Sequence, residues 1–292
     1  MHTPYDGSSK LFQIGLKQLD LREWIDADDL LTSQLDEKAR LWAAHPDEVF
    51  VAEAGSEDAQ AEVLELLAEH LPERFPEVYR RHGETIDVAG RSVALEADEP
   101  PLRTAARLVQ EDLVIMRKGE AGWRLAAGSL SFPSSWRLRE KFGLPMHEVH
   151  GPVPGFSAGT RNAELIARMF DHLRPAVPVI RWNWSLYNDA ALFHPESGEG
   201  HRMFGAGERA DSVFLRVERQ TLRKLPRTGD ILFTIRIYVD PLETLERQPE
   251  AAKIAAALVE QLMELSPEQL DYKGITTERD RLMARLRAVG AA

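Results

Sequence analysis

Two histidines three residues apart, His147 and His150, are the residues whose type and spacing point most directly to chemistry. At this spacing both imidazoles share one helical face, where either ring can bind a metal. Prolines and glycines surround the pair and would hold irregular backbone open around a bulky ligand. The framing residues are Gly143, Pro145, Gly151, Pro152 and Pro154.

Two other interpretations of this segment stay open at this point. A surface helix that ends in a loop would leave both histidines solvated. A zinc ion also suits a pair of histidines, but zinc sites need at least a third protein ligand. The candidates for that ligand are the distant His194 and His201.

An aromatic strand candidate around residue 184 is the second region of interest. Strand alternation places Trp182 and Trp184 on one face. The opposite face then carries the polar side chains of Arg181, Asn183 and Ser185. Two tryptophans on one strand face usually belong to a core, and they would equally suit the wall of a flat aromatic ligand such as a porphyrin.

Arginines are concentrated between residues 216 and 236 of an otherwise acidic chain. A solvated charge run is the ordinary explanation for such a segment. Alternation, however, puts Arg216 and Glu218 on the same strand face, so that a cation and a carboxylate could project together into a pocket. Arginine binds carboxylates and phosphates through paired hydrogen bonds.

The composition limits the classes of function. The chain has 292 residues, 43% of them hydrophobic, which is enough for a sizeable core. Its net charge of −11 opposes attraction to nucleic acid or anionic membrane, so neither is an expected partner. The absence of cysteine excludes disulfides, thiolate-held iron–sulfur clusters and thiolate-ligated haem, and any redox electrons must come from elsewhere. With no apolar signal stretch or long apolar run in the sequence, we expect a cytoplasmic protein.

Hydrophobic periodicity predicts an α+β fold. Predicted strands occupy residues 113–116, 123–127, 179–187, 213–218 and 231–239. Predicted helices begin near Ser33, Ser56, Trp136 and Thr160 and recur across 240–292. Five strands split by a helical insertion indicate one antiparallel sheet, PAS-like in arrangement, with a pocket between its face and the insertion. We expect one compact unit with a mainly helical region over 1–105, a PAS-like core over 106–240 and C-terminal helices over 241–292.

Short motifs occur along the chain in a recognisable order. They are Ser134-Ser135-Trp136-Arg137 with Lys141, His150-Gly151-Pro152-Val153-Pro154-Gly155, Asn183-Trp184-Ser185, Leu192-Phe193-His194-Pro195 and Glu218-Arg219-Gln220-Thr221-Leu222-Arg223. This ordered set resembles the haem-dependent oxidative N-demethylase α-subunit-like family. The resemblance spans roughly Ile14 to Leu242.

The resemblance implies a PAS-like fold that binds haem b within 106–240. It implies oxidation of a small secondary amine such as dimethylamine, with dioxygen, to a primary amine and formaldehyde. Electrons in that family arrive through separate FMN and iron–sulfur reductase components, and the absence of cysteine here agrees with that division. The expected partners are the amine, dioxygen and reductase subunits.

The resemblance also suggests roles for individual residues. His150 is the expected axial ligand of iron, because a PAS-like haem protein usually presents its histidine at the end of the helical insertion, with His147 and His194 as alternatives. Glu218 is expected to orient a protonated amine, and Arg219 to contribute to catalysis electrostatically. Residues expected to contact the cofactor are Trp136, Arg137, Trp184, Arg216 and Arg223.

Two alternatives retain part of this assignment. A haem or gas sensor would keep the ligand without turning over a substrate, although no kinase or helix-turn-helix output unit is visible in the sequence. A haem-free small-molecule-binding module would keep only the fold.

Overall fold

A computed structural model describes residues 1–196 and 202–289 of the chain, so His201 lies outside the described residues. Helices and antiparallel sheets are both present, which confirms the α+β fold class. The PAS-like assignment stays a prediction. Over the two described ranges, no helix is both long and apolar enough to cross a membrane.

The strands form two sheets. Their bounds are β1 Lys17–Gln18, β2 Phe50–Ala52, β3 Tyr79–His82, β4 Thr85–Val88, β5 Arg91–Ala94, β6 Asp112–Gly119, β7 Gly122–Ser129, β8 Val179–Tyr187, β9 Phe214–Lys224 and β10 Ile231–Pro241. The large sheet has the order β1-β8-β9-β10-β6-β7-β2, and β3, β4 and β5 form the small one. Neighbouring strands are antiparallel throughout both sheets.

Helices precede, interrupt and follow the large sheet. Their bounds are α1 Leu31–Ala44, α2 Pro46–Val49, α3 Glu57–Arg74, α4 Pro101–Ala106, α5 Leu138–Lys141, α6 Met146–Val149, α7 Arg161–His172, α8 Leu242–Glu246, α9 Ala251–Glu264, α10 Pro267–Tyr272 and α11 Arg279–Val289. The insertion between β7 and β8 holds α5, α6 and α7. Thr160 begins α7 as predicted, since its side chain accepts a hydrogen bond from the amide of Ala163 at 3.3 Å.

The five predicted strands correspond to β6 to β10. The turn between β6 and β7 depends on Gly122, whose φ of 97° is accessible to glycine without steric strain. The small sheet of β3, β4 and β5 lies in the region that the periodicity predicted to be mainly helical, and it was not anticipated. Its strands have only four residues each, too few for a clear alternation signal.

The two faces of the large sheet have different neighbours. On one face, Arg236 of β10 donates to the Gln34 side chain of α1 at 2.8 Å, and Trp184 of β8 donates to Gln261 of α9 at 3.3 Å. The N-terminal and C-terminal helices therefore cover the same face. The opposite face is left to the insertion and carries the site described next.

Candidate functional site

A cavity of about 690 Å³ lies between the insertion and the face of the large sheet opposite the N-terminal and C-terminal helices. Residues from 11–16 and 271–273 complete its wall. This volume lies within the range of small-molecule and cofactor sites, about 300–1,000 Å³. Apolar side chains line much of it, including Val114, Met116, Phe156, Phe170, Leu222 and Phe233.

Among the described residues, His150 is the histidine that lies in this wall. It follows α6 directly, and its ring Nδ1 lies 3.1 Å from the carbonyl oxygen of Met146. Because a carbonyl only accepts hydrogen bonds, Nδ1 carries the proton and Nε2 has the free lone pair. Burial, with a smaller effect of Arg181, lowers the pKa of His150 to about 4. The ring is therefore neutral at neutral pH, as a metal ligand must be.

The alternative histidines lie in other surroundings. The side chain of His147 is 41% exposed and lies 3.8 Å from Glu148. His194 packs against the ring of Tyr187, with 4.4 Å between centroids, and its Nε2 lies 3.3 Å from Asp189. Across residues 1–196 and 202–289, no group of three His, Asp or Glu side chains is arranged to hold a metal ion. The structure thus gives the zinc alternative no third ligand within the described part of the chain.

Glu218 of β9 lies in the sheet wall of the cavity, where only 7% of its surface is exposed. Its Oε2 accepts hydrogen bonds from Asn183 Nδ2 at 3.2 Å and Gln220 Nε2 at 2.7 Å. Asn183 pairs directly with Glu218 across β8 and β9, which explains the first contact. Among the described residues Oε1 has no donor, so this oxygen is available to a ligand.

Arg181 also faces the cavity, because β8 alternates and Arg181 lies two residues before Asn183. Burial lowers its pKa, and the charge of Glu218 partly offsets that effect. Its Nε is buried without a hydrogen-bond partner in the described part of the chain. A guanidinium with a buried, unused N–H donor is suited to a carboxylate ligand.

Lys273, the residue after α10, contributes a second buried cation to the wall. Its Nζ donates to the Trp184 carbonyl at 2.7 Å and to Ser185 Oγ at 3.1 Å. Burial lowers the pKa of Lys273 to about 8. Sequence reasoning missed this residue, since nothing in its local sequence indicates that α10 ends beside β8.

Two arginines of β9 assigned to the site by sequence lie on the opposite face of the sheet. Arg219 donates to the carbonyl of Trp24 at 3.0 Å and also to that of Glu23. Arg223 lies over the Trp24 ring, 4.2 Å from its centroid. Both occupy odd positions of β9, whereas the cavity residues of this strand occupy even positions. The alternation that identified Glu218 could have separated them from it.

Arg216 shares the face of Glu218, as predicted, but its contacts are structural. Its guanidinium is completely buried and donates to the carbonyls of Phe132, Pro133 and Leu192 at 2.9, 3.1 and 3.2 Å. It therefore joins the start of the insertion to the loop after β8, next to the cavity.

The three remaining predicted residues lie in different places: one in the cavity wall, one at the surface and one in the core. Trp136 lies in the cavity wall. Arg137, its neighbour, is half-exposed and pairs with Glu196 at 2.7 Å. Trp184 packs in the apolar cluster beneath the C-terminal helices, so its ring belongs to the core.

Comparison with protein families adds one finding. A family model described as haem-dependent oxidative N-demethylase, alpha subunit-like, matches residues 15–283. The match includes the insertion, the large sheet and the helix that carries Lys273 into the cavity wall. The chain therefore belongs to the haem-dependent oxidative N-demethylase alpha-subunit-like family.

Proposed function

We propose that this protein is the haem b-binding subunit of a monooxygenase that demethylates a small secondary amine of the dimethylamine type. The observation that carries the proposal is the position and the tautomer of His150. Its ring lies in the cavity wall with Nδ1 committed to the Met146 carbonyl and Nε2 free. A metal-binding histidine typically has its second nitrogen fixed in this way.

The residues of the cavity fit a haem in three respects. His150 would ligate the iron through Nε2, and the apolar side chains opposite the insertion would surround the porphyrin. Arg181 would bind a propionate with the donors that it does not use within the protein. When bound, haem supplies the redox-active iron at which dioxygen is activated.

Glu218 would hold the amine. Dimethylamine is protonated at neutral pH, and its ammonium group offers two N–H donors. Asn183 and Gln220 hold Oε2 of Glu218, which leaves Oε1 to accept one of those donors in a poorly hydrated site. The nearby apolar wall would contact the methyl groups.

The overall reaction requires external electrons. Conversion of dimethylamine and dioxygen to methylamine, formaldehyde and water consumes two electrons and two protons. The chain lacks the cysteines of an iron–sulfur centre. The proposal therefore includes separate FMN and iron–sulfur reductase components as partners.

The proposal is tested by supplying the haem-loaded protein with dimethylamine, NADPH and such a reductase, and by assaying formaldehyde. We expect turnover, and we expect Glu218→Gln to lower kcat/KM about 100-fold because the ammonium loses its anionic partner. Glu140→Gln is the matched control, since it removes the same charge from another cavity-lining position. A normal haem spectrum without formaldehyde would contradict the demethylase assignment.

A further inference from the structure

Lys273 lies at the far end of a polar chain that leads to Glu218. Its Nζ is 3.4 Å from Oδ1 of Asn183, and Nδ2 of the same carboxamide is 3.2 Å from Oε2 of Glu218. The ammonium itself is anchored by the carbonyl of Trp184 and by Ser185 Oγ. Lys273 and Glu218 each have 7% of their surface exposed, so water screens these charges little.

A carboxamide between an ammonium and a carboxylate has one favourable orientation. Rotation of Asn183 by half a turn would direct its N–H groups at Lys273 and its oxygen at Glu218, and both contacts would be repulsive. The distance of 3.4 Å is long for a hydrogen bond, but the electrostatic preference does not require a short one. Lys273 and Glu218 therefore favour the same orientation of Asn183, with Nδ2 toward Glu218.

The position of Lys273 is itself well determined. Ser266 and Gln269 form a capping box at the start of α10, and Lys273 follows the last residue of that helix. Gly274 then adopts a φ of 66°, and its amide donates to the Asp271 carbonyl at 2.8 Å. This left-handed residue ends the helix and turns the chain away after Lys273.

We propose that Lys273 is a positioning residue for the amine site. By fixing the Asn183 carboxamide, it keeps Oε2 of Glu218 occupied and leaves Oε1 directed to a secondary ammonium substrate. The role of Glu218 rests on the proposed function, whereas the effect of Lys273 on Asn183 does not.

The first test is independent of haem, amine and turnover. The chain contains three asparagines, Asn162, Asn183 and Asn188, so ¹⁵N-asparagine labelling gives three pairs of side-chain amide signals. Asn183→Leu identifies the signal of residue 183. In Lys273→Met we expect that signal to shift and to lose protection from solvent exchange, while Asn162 keeps its shifts. Lys273→Arg should restore much of the protection because it retains a cation.

If Lys273→Met does not fold, Lys273→Gln takes its place in this test. That variant removes the charge but retains an N–H donor for the Trp184 carbonyl. An unchanged Asn183 signal in the folded charge-removing variants would overturn the positioning role.

The second test measures the dissociation constant of dimethylammonium chloride for the haem-loaded protein. Lys273→Met should raise it about tenfold. In an Asn183→Leu background, Lys273→Met should raise the dissociation constant little further, because the effect of Lys273 passes through Asn183. In a Gln220→Leu background, which lacks the other donor to Oε2, Lys273→Met should still raise the dissociation constant at least tenfold, because Asn183 is then the remaining side-chain donor to Oε2.

Additivity of Lys273→Met and Asn183→Leu would overturn the proposal. Failure of the unmodified protein to bind dimethylammonium would count against the proposed function, while the asparagine signals would still decide whether Lys273 orients Asn183.

Discussion

Nδ1 of His150 lies 3.1 Å from the carbonyl oxygen of Met146, one helical turn earlier in the chain. The contact fixes both the tautomer and the rotation of the ring. It also makes the two histidines of this segment unequal, because His147 is 41% exposed and lies beside Glu148. Their spacing alone could not distinguish them.

His150→Ala should abolish the histidine-ligated haem spectrum and weaken haem binding, because the ring in the cavity wall is lost. His147→Ala should bind haem with the spectrum of the unmodified protein. Visible spectroscopy during haem titration of the two variants makes the comparison. The reverse pattern would transfer the ligand role to His147.

Arg181→Met should lower haem affinity about tenfold while leaving the spectrum of the bound form unchanged, because a propionate partner is lost and the iron ligand is retained. Arg223→Met is the matched control, since it removes an arginine on the opposite face of the neighbouring strand. Competitive haem transfer to apomyoglobin measures both affinities. Equal losses in the two variants would show a general charge effect and count against a propionate contact.

Arg216→Met should lower the free energy of unfolding by about 2–4 kcal/mol, because carbonyls at the start of the insertion and after β8 lose a buried donor. Arg137→Met should change it by less than about 0.5 kcal/mol, since that arginine has one exposed partner. Urea unfolding of the apoprotein gives both values. A small loss for Arg216→Met would mean that the two loops do not depend on this guanidinium.

His70 predicts a specific sensitivity to acid. Burial, with the charges of Arg223 and Arg74, lowers its pKa to about 4. Since protonation is easier in the unfolded chain, its contribution to stability is complete above the unfolded pKa of about 6.5 and is lost as pH falls toward 4. His70→Phe keeps the aromatic contact with Trp24 and removes the proton-binding site.

The acid-induced loss of unfolding free energy between about pH 7.5 and 4.5 should therefore be smaller in His70→Phe, by about 1–2 kcal/mol. His150 has a similarly lowered pKa, so part of the loss should remain. Urea unfolding at the two pH values measures the difference. Parallel losses in the two proteins would contradict the shifted titration of His70.

Local sequence patterns predicted most strands of the large sheet. They predicted few of the residues that complete the cavity wall from other parts of the chain. The period of two on β8 and β9 predicted the shared face of Arg216 and Glu218, and it also places Arg181 there. It could not predict Lys273, which contacts Asn183 from the end of a helix ninety residues later in the chain. Contacts of that kind depend on how distant elements pack, and short-range periodicity carries no information about them.

The cavity wall also draws on three separated parts of the sequence: residues 11–16, the sheet with its insertion, and residues 271–273. A ligand held there would contact a segment near each end of the described chain together with its middle. Its binding free energy therefore adds to the folding equilibrium of the assembled wall. Saturation with haem should consequently raise the melting temperature of the protein. The two terminal segments and the sheet should then unfold together, in one cooperative transition.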